Sequence, residues 1–139
     1  MAPRKARADD APKPERKTIL VVDDEVLVRM VIAEELRDRG YLVVEAASAD
    51  EAAAILRAGM DVDLVFTDVT MPGRLDGLAL AELVRANYPS LKVVITSGHL
   101  PPGDDRRAGA DAFLPKPYLV GSAADRIGGI LAGPDERTP

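Results

Sequence analysis

Apolar residues along this chain fall into two alternating kinds of pattern. Thr18–Val22 (TILVV) is an unbroken β-branched and aliphatic run. Such a run, apolar on both faces, suits a strand buried inside a parallel sheet. Tyr41–Val44, Val62–Thr67, Leu91–Thr96 and Ala112–Leu114 read as four more strands. Between them the period lengthens to that of a helix. Val26 to Arg39 is rich in helix formers and stops at Gly40. Its first two turns are apolar nearly all round, which predicts a well-covered helix. Ser48 to Ala58 opens on a capping box, Ser48 with Glu51, and stops at Gly59. Leu80, Leu83 and Val84 mark a helix from about Asp76 to Asn87, closed by Pro89. Ala123, Ile127, Ile130 and Leu131 form a stripe on a last helix, weakened by Gly128 and Gly129. Leu100 to Gly109 (LPPGDDRRAG) holds at most one short helix.

Five strands alternating with helices imply right-handed βαβ crossovers and an α/β sandwich. Ligands of such folds sit outside the carboxyl ends of the strands. Here those ends carry Asp23, Asp24 and Glu25 after the first strand, Asp68 after the third, Thr96 and Ser97 after the fourth, and Lys116 after the fifth. Each has an ordinary reading by itself: Asp23 or Asp24 as a helix N-cap, Asp68 and Ser97 as turn residues, Lys116 as a solvated lysine. Their arrival on one sheet edge is what points to chemistry. Carboxylates crowded together resist ionising unless a cation joins them. Mg²⁺ accepts one or two carboxylates plus waters and a phosphate oxygen. A carboxylate such as Asp68 can be a nucleophile forming an acyl phosphate, with Mg²⁺ and Lys116 neutralising charge. His99 has no partner of its kind and reads as a loop residue, and Phe113 by composition as core.

Composition narrows the classes further. With 139 residues and 47% hydrophobic content the chain supports one domain with a real core. Residues 1–17 hold three Pro and six Lys/Arg against three Asp/Glu, net +3, with no large apolar side chain after Met1. They read as a flexible tail, either a solvated leader or a basic docking arm. The rest carries 12 bases and 20 acids, net −8, which argues against a nucleic-acid partner. The absence of cysteine excludes disulfides and thiolate metal sites. No apolar run spans a bilayer, so the expectation is a cytoplasmic protein without membrane association. The expected domain runs over 18–132, with a disordered end at 133–139.

The motifs VVDDE at 21–25, TDVTMPG at 67–73 with DGLALA at 76–81, TSGH at 96–99 and FLPKPY at 113–118 together resemble the receiver domain of two-component response regulators. The resemblance covers roughly 17–132. It implies a doubly wound, flavodoxin-like parallel sheet in the order 2-1-3-4-5. It implies Asp68 as phosphoacceptor, Asp24 as direct Mg²⁺ ligand, and Asp23 holding the metal mainly through water. Thr70 would add its carbonyl, Lys116 would pair with the phosphoryl group, and Phe113 would be the aromatic switch. A cis bond at Lys116–Pro117 is common in the family. The switch hydroxyl is Thr96 or Ser97, and Ser97 is favoured because Gly98 follows it. The implied partners are a sensor histidine kinase or histidine phosphotransfer protein and an unknown downstream protein, with the domain a monomer or weak dimer.

Two departures stand out. MPGRLDG is one residue longer than the shortest family form, and HLPPGDDRRAG replaces a full fourth helix. Residues 99–110 are therefore expected to respond to phosphorylation by local reordering. The reading is a stand-alone receiver acting as switch or relay, no enzyme beyond its own phosphorylation and dephosphorylation. The alternatives are a receiver cut from a hybrid kinase and an aspartyl-phosphate-type phosphatase. The phosphatase would place its nucleophile in an Asp-x-Asp pattern on the first strand and leave Asp68 unexplained. A flavin-binding module would want a hydroxyl- and Gly-rich loop where this chain has acids.

Overall fold

The structure, a computed structural model, describes residues 16–69, 76–98 and 110–133. The tail read at 1–17 and the end read at 133–139 fall almost wholly outside these residues. Thr70, His99, Met71–Leu75 of the MPGRLDG loop and Leu100–Gly109 also lie outside them.

The elements run β1 (Thr18–Val22), α1 (Val26–Asp38), β2 (Leu42–Ala46), α2 (Ala49–Arg57), β3 (Leu64–Asp68), α3 (Gly77–Asn87), β4 (Lys92–Ser97), β5 (Ala112–Pro115) and α4 (Val120–Ala132). The five strands form one parallel sheet in the order β2-β1-β3-β4-β5, the doubly wound arrangement expected from the sequence. Alternation along the strands splits the core in two. Leu20, Val22, Val65, Val93 and Ile95 face Ala52, Leu56, Leu80 and Val84 of α2 and α3. Ile19, Val21, Leu64, Phe66 and Val94 face Ile32, Leu36, Ala123 and Ile127 of α1 and α4. Both faces are covered, which is why the central strands are apolar throughout. Truncating a fully buried member such as Leu36 to Ala costs about 2–5 kcal/mol.

Several boundaries move by one or two residues. β2 begins at Leu42 because Tyr41 donates its N–H to Leu36 and closes α1, and pairing continues to Val22↔Ala46. β3 begins at Leu64 and ends on Asp68, while β4 and β5 each extend one residue further, paired at Ser97↔Pro115. Gly40 and Gly59 end their helices with φ of 99° and 96°, a conformation glycine adopts without strain. The Ser48 hydroxyl accepts the Glu51 N–H at 3.0 Å, and the Glu51 carboxylate reaches back to the N–H of Ala47. α4 runs on through Gly128 and Gly129. At Gly128 a Cβ would stand 3.2 Å from the Tyr41 hydroxyl, so the glycine makes room for that ring.

One expectation fails. The first two turns of α1 are not well covered: Val26, Leu27, Met30 and Val31 are all at least half exposed, Leu27 by 74%. α1 meets the sheet through its second half, where Ile32, Ala33 and Leu36 are buried. Among the described residues, no layer covers the apolar side chains of its first half.

Candidate functional site

The carboxyl ends of β1, β3 and β5 bring four charged groups together. β1 runs directly into Asp23, whose N–H donates to Ala46 at the end of β2 at 3.1 Å. The Asp23 carboxylate turns back on its own loop and accepts the Glu25 N–H at 2.9 Å, the short-range bonding that Asp offers at turns. Asp23 is thereby buried while Asp24 beside it stays exposed.

Asp68 closes β3, in register with Thr96 of β4. Its surroundings are fastened through main chain. Val69 donates to Thr96 at 3.0 Å and accepts from Gly77 at 2.8 Å, and the Thr67 hydroxyl donates to the Asp68 carbonyl at 2.9 Å. A Cβ built on Gly77 would overlap the Asp68 carbonyl and lie 2.8 Å from Val69 Cα. Only glycine allows α3 to start this close to β3.

Lys116 follows β5, its N–H donating to Ser97 at 2.9 Å, and the Lys116–Pro117 bond is cis. Its Nζ donates to Asp68 Oδ2 at 3.1 Å and stands 3.6 Å from Asp23 Oδ2. One carboxylate oxygen each from Asp23, Asp24 and Asp68 lies within 4.8 Å of the others. Burial pushes the Asp23 carboxyl up, only partly offset by the Glu25 N–H and Lys116. Burial works against the Lys116 ammonium, yet the Asp68 hydrogen bond and the Asp23 charge hold it above its ordinary value. Three carboxylates facing one ammonium are an incomplete charge balance. Oxygen donors so spaced suit a hard, six-coordinate cation such as Mg²⁺, with room for water and an anionic oxygen.

Tyr118 stacks edge-on against Phe66, with centroids 5.7 Å apart. Burial, and after it the charges of Asp23, Asp68 and Glu25, push its phenol up to about 12. A groove of about 550 Å³ opens beside it, lined by the apolar Leu27, Val28, Val31, Pro117, Tyr118 and Val120 and by the charged Glu25 and Lys116.

Of the residues singled out from the sequence, Asp23, Asp24, Asp68 and Lys116 converge. Thr96 and Ser97 are both buried at the end of β4. By strand alternation they follow opposite sheet faces, Thr96 with Val94 and Ser97 with Ile95. Phe113 is half-buried and packs on the α2/α3 side of the sheet. Thr70 lies outside the described residues. Gly77, Arg29 and Tyr118 had no site role in the sequence reading. Gly77 stood inside the quoted DGLALA motif, and Tyr118 inside FLPKPY. Nothing in the spacing marked Arg29.

Comparison with known proteins gives the family and the fold. The response regulator receiver domain family matches residues 19–127. The sensor kinase CckA of Brucella abortus is 38% identical over 93% of this chain, and the chain spans 15% of that relative's length. A CheY-like response regulator receiver domain protein from Methanospirillum hungatei superposes with a TM-score of 0.82 at 26% identity, over 88% of this chain and 99% of that one. The response regulator protein TrrA of Thermotoga maritima, solved in complex with Mg(2+)-BeF, gives a TM-score of 0.73 at 30% identity, over 82% of this chain and 98% of that one. Sheet order, motifs and match over most of its length agree: the chain belongs to the response regulator receiver domain family.

Proposed function

We propose that this domain is a phosphorylation switch in which Asp68 takes a phosphoryl group from a phosphohistidine on a sensor histidine kinase or a histidine phosphotransfer protein. The observation that carries this reading is the mutual approach of the Asp23, Asp24 and Asp68 carboxylates, with Lys116 Nζ 3.1 Å from Asp68.

An Asp68 oxygen attacks phosphorus as the P–N bond breaks. The imidazole nitrogen keeps the bonding electrons and takes up a proton, and an acyl phosphate is left on Asp68. Attack by water later returns the carboxylate and inorganic phosphate. Asp24 and Asp68 would hold Mg²⁺ directly and Asp23 through water, and by the family resemblance Thr70, outside the described residues, would add its carbonyl. Bound there, the metal neutralises charge on the transferring group. Lys116 supplies the second positive charge and orients the phosphoryl oxygens. Ser97 then donates to a phosphoryl oxygen, and Phe113 turns into the space this movement leaves. The domain turns over only its own phosphoryl group.

A donor must cover the rim of the site to deliver its phosphohistidine. The exposed apolar side chains Val26, Leu27, Met30 and Val31, with Leu119 just before α4 at 75% exposure, supply a contact surface for it. Similarity to a sensor kinase over 93% of this chain favours a second reading, in which the domain receives its phosphoryl group within a hybrid kinase.

Incubation with a small acyl-phosphate donor and Mg²⁺, followed by intact-mass and peptide analysis, tests the proposal. The wild type should gain one base-labile phosphoryl group at Asp68, and Asp68→Asn should gain none. Equal incorporation in Asp68→Asn would overturn it.

A further inference from the structure

The acidic turn between β1 and α1 is held from an unexpected side. Asp23 has four polar groups to satisfy, and three are taken by its own chain. Its N–H goes to the Ala46 carbonyl, one carboxylate oxygen takes the Glu25 N–H, and its carbonyl accepts from Arg29 Nη1 at 2.9 Å. Only Oδ2 is left to face Lys116. Arg29 does not stop at this contact. Its Nε donates to Glu45 Oε1 at 3.0 Å, and the other Glu45 oxygen is 3.2 Å from Arg37 Nη1, while Arg37 Nη2 donates to the Val43 carbonyl. The Arg29 side chain is 16% exposed and that of Glu45 24%, so the pair is partly withdrawn from water. Two ties on Asp23, through Ala46 and through Glu45, thus end on β2. That strand lies at the sheet edge and contributes no site residue.

We propose that Arg29, braced by Glu45, is a positioning residue that fixes the acidic turn in its cation-binding shape. This rests on the reading of Asp23, Asp24 and Asp68 as the Mg²⁺ site. Arg29 has the chemistry for it. A planar guanidinium donates in two fixed directions at once, here to a carbonyl of one loop and a carboxylate of another strand. A lysine offers a point charge and no such fork.

The sign of the effect separates positioning from electrostatics. Arg29 is a cation bonded to the main chain of the turn whose carboxylates would hold another cation. By charge alone its removal strengthens Mg²⁺ binding. As a brace its removal weakens binding, because the turn loses the geometry that a small, rigid-shelled cation demands.

The test is a Mg²⁺ titration of the unphosphorylated protein followed by amide chemical shifts, on wild type, Arg29→Ala, Arg29→Lys and Glu45→Gln. Amide exchange of Asp23 and Glu25 is measured alongside that of Val65 in the core. Arg29→Ala should bind Mg²⁺ about tenfold more weakly, the scale of losses on removing second-layer support at metal sites. Arg29→Lys and Glu45→Gln should weaken it about threefold, in the same direction. Exchange at Asp23 and Glu25 should quicken while Val65 is unchanged. Equal or tighter Mg²⁺ binding by Arg29→Ala overturns the proposal. Should that variant not fold, unchanged affinity in both Arg29→Lys and Glu45→Gln does so. A wild type that binds no Mg²⁺ removes the metal reading instead, and the exchange rates at Asp23 and Glu25 then decide on the brace alone.

Discussion

Gly77 and Asp68 meet through their main chains: the α3 glycine lies against the Asp68 carbonyl so closely that no side chain fits between them. The Gly77 N–H also donates to Val69, directly after Asp68. A helix start is thus packed onto the peptide that aims the Asp68 carboxylate. Gly77→Ala must push α3 and the end of β3 apart. We expect it to cost about 1–3 kcal/mol of stability, as overpacking does, and to weaken Mg²⁺ binding. Urea unfolding and the amide-detected titration measure the two effects.

The Tyr118 phenol is held up to about 12 from an ordinary 10.0, first by burial and then by the charges of Asp23, Asp68 and Glu25. The unfolded chain releases this proton near its ordinary value while the folded chain still holds it. Across that window the folded form binds more protons, so stability falls as pH rises from about 10 to about 12. Tyr118→Phe should lose this component. Unfolding free energies of both proteins from pH 9 upward show it as a smaller decline in the variant.

Thr96 and Ser97 are adjacent buried hydroxyls on opposite faces of β4, and the proposed switch needs Ser97. A charged phosphoryl acceptor makes a stronger hydrogen bond than a neutral one. A beryllofluoride-type mimic with Mg²⁺ should therefore shift the Phe113 ring resonances in wild type and Thr96→Val. It should leave them unmoved in Ser97→Ala, with phosphoryl uptake at Asp68 preserved. The opposite pattern would assign the role to Thr96.

Leu27 is 74% exposed on α1. Leu27→Asp should change stability by no more than about 0.5 kcal/mol, as surface substitutions do. It should slow phosphoryl transfer from a protein donor about tenfold, as loss of an interface anchor does. Transfer from a small phosphodonor should not change. Equal slowing with both donors would point to damage at Asp68.

Strand identity is legible because both faces of the central strands are covered, which leaves runs such as Ile19–Val22 with no polar position. The strand ends were legible for the same reason, since Asp23, Asp68 and Lys116 interrupt apolar runs. Boundaries slipped where the chain spends a residue on something local, as Tyr41 does in closing α1. The cover over α1 was misread because an apolar run looks the same whether it meets a sheet or a partner. Arg29 was invisible for a deeper reason. Its partners Asp23 and Glu45 are joined through the carbonyl of one and the carboxylate of the other, and no spacing rule encodes a main-chain acceptor brought near by sheet pairing.

Helix α1 divides its labour along its length. Ile32, Ala33 and Leu36 belong to the fold, whereas Val26, Leu27, Met30 and Val31 contribute little to it. Substitutions at those four positions are therefore nearly free of folding constraint, and those at Arg29 and in the second half are not. If donors dock as proposed, duplicated copies of such a domain can drift at those four positions, exchange one donor for another and become insulated from each other's signals while keeping the fold. The bare apolar turns are the part of the molecule where a new pathway can diverge at least cost to the old one.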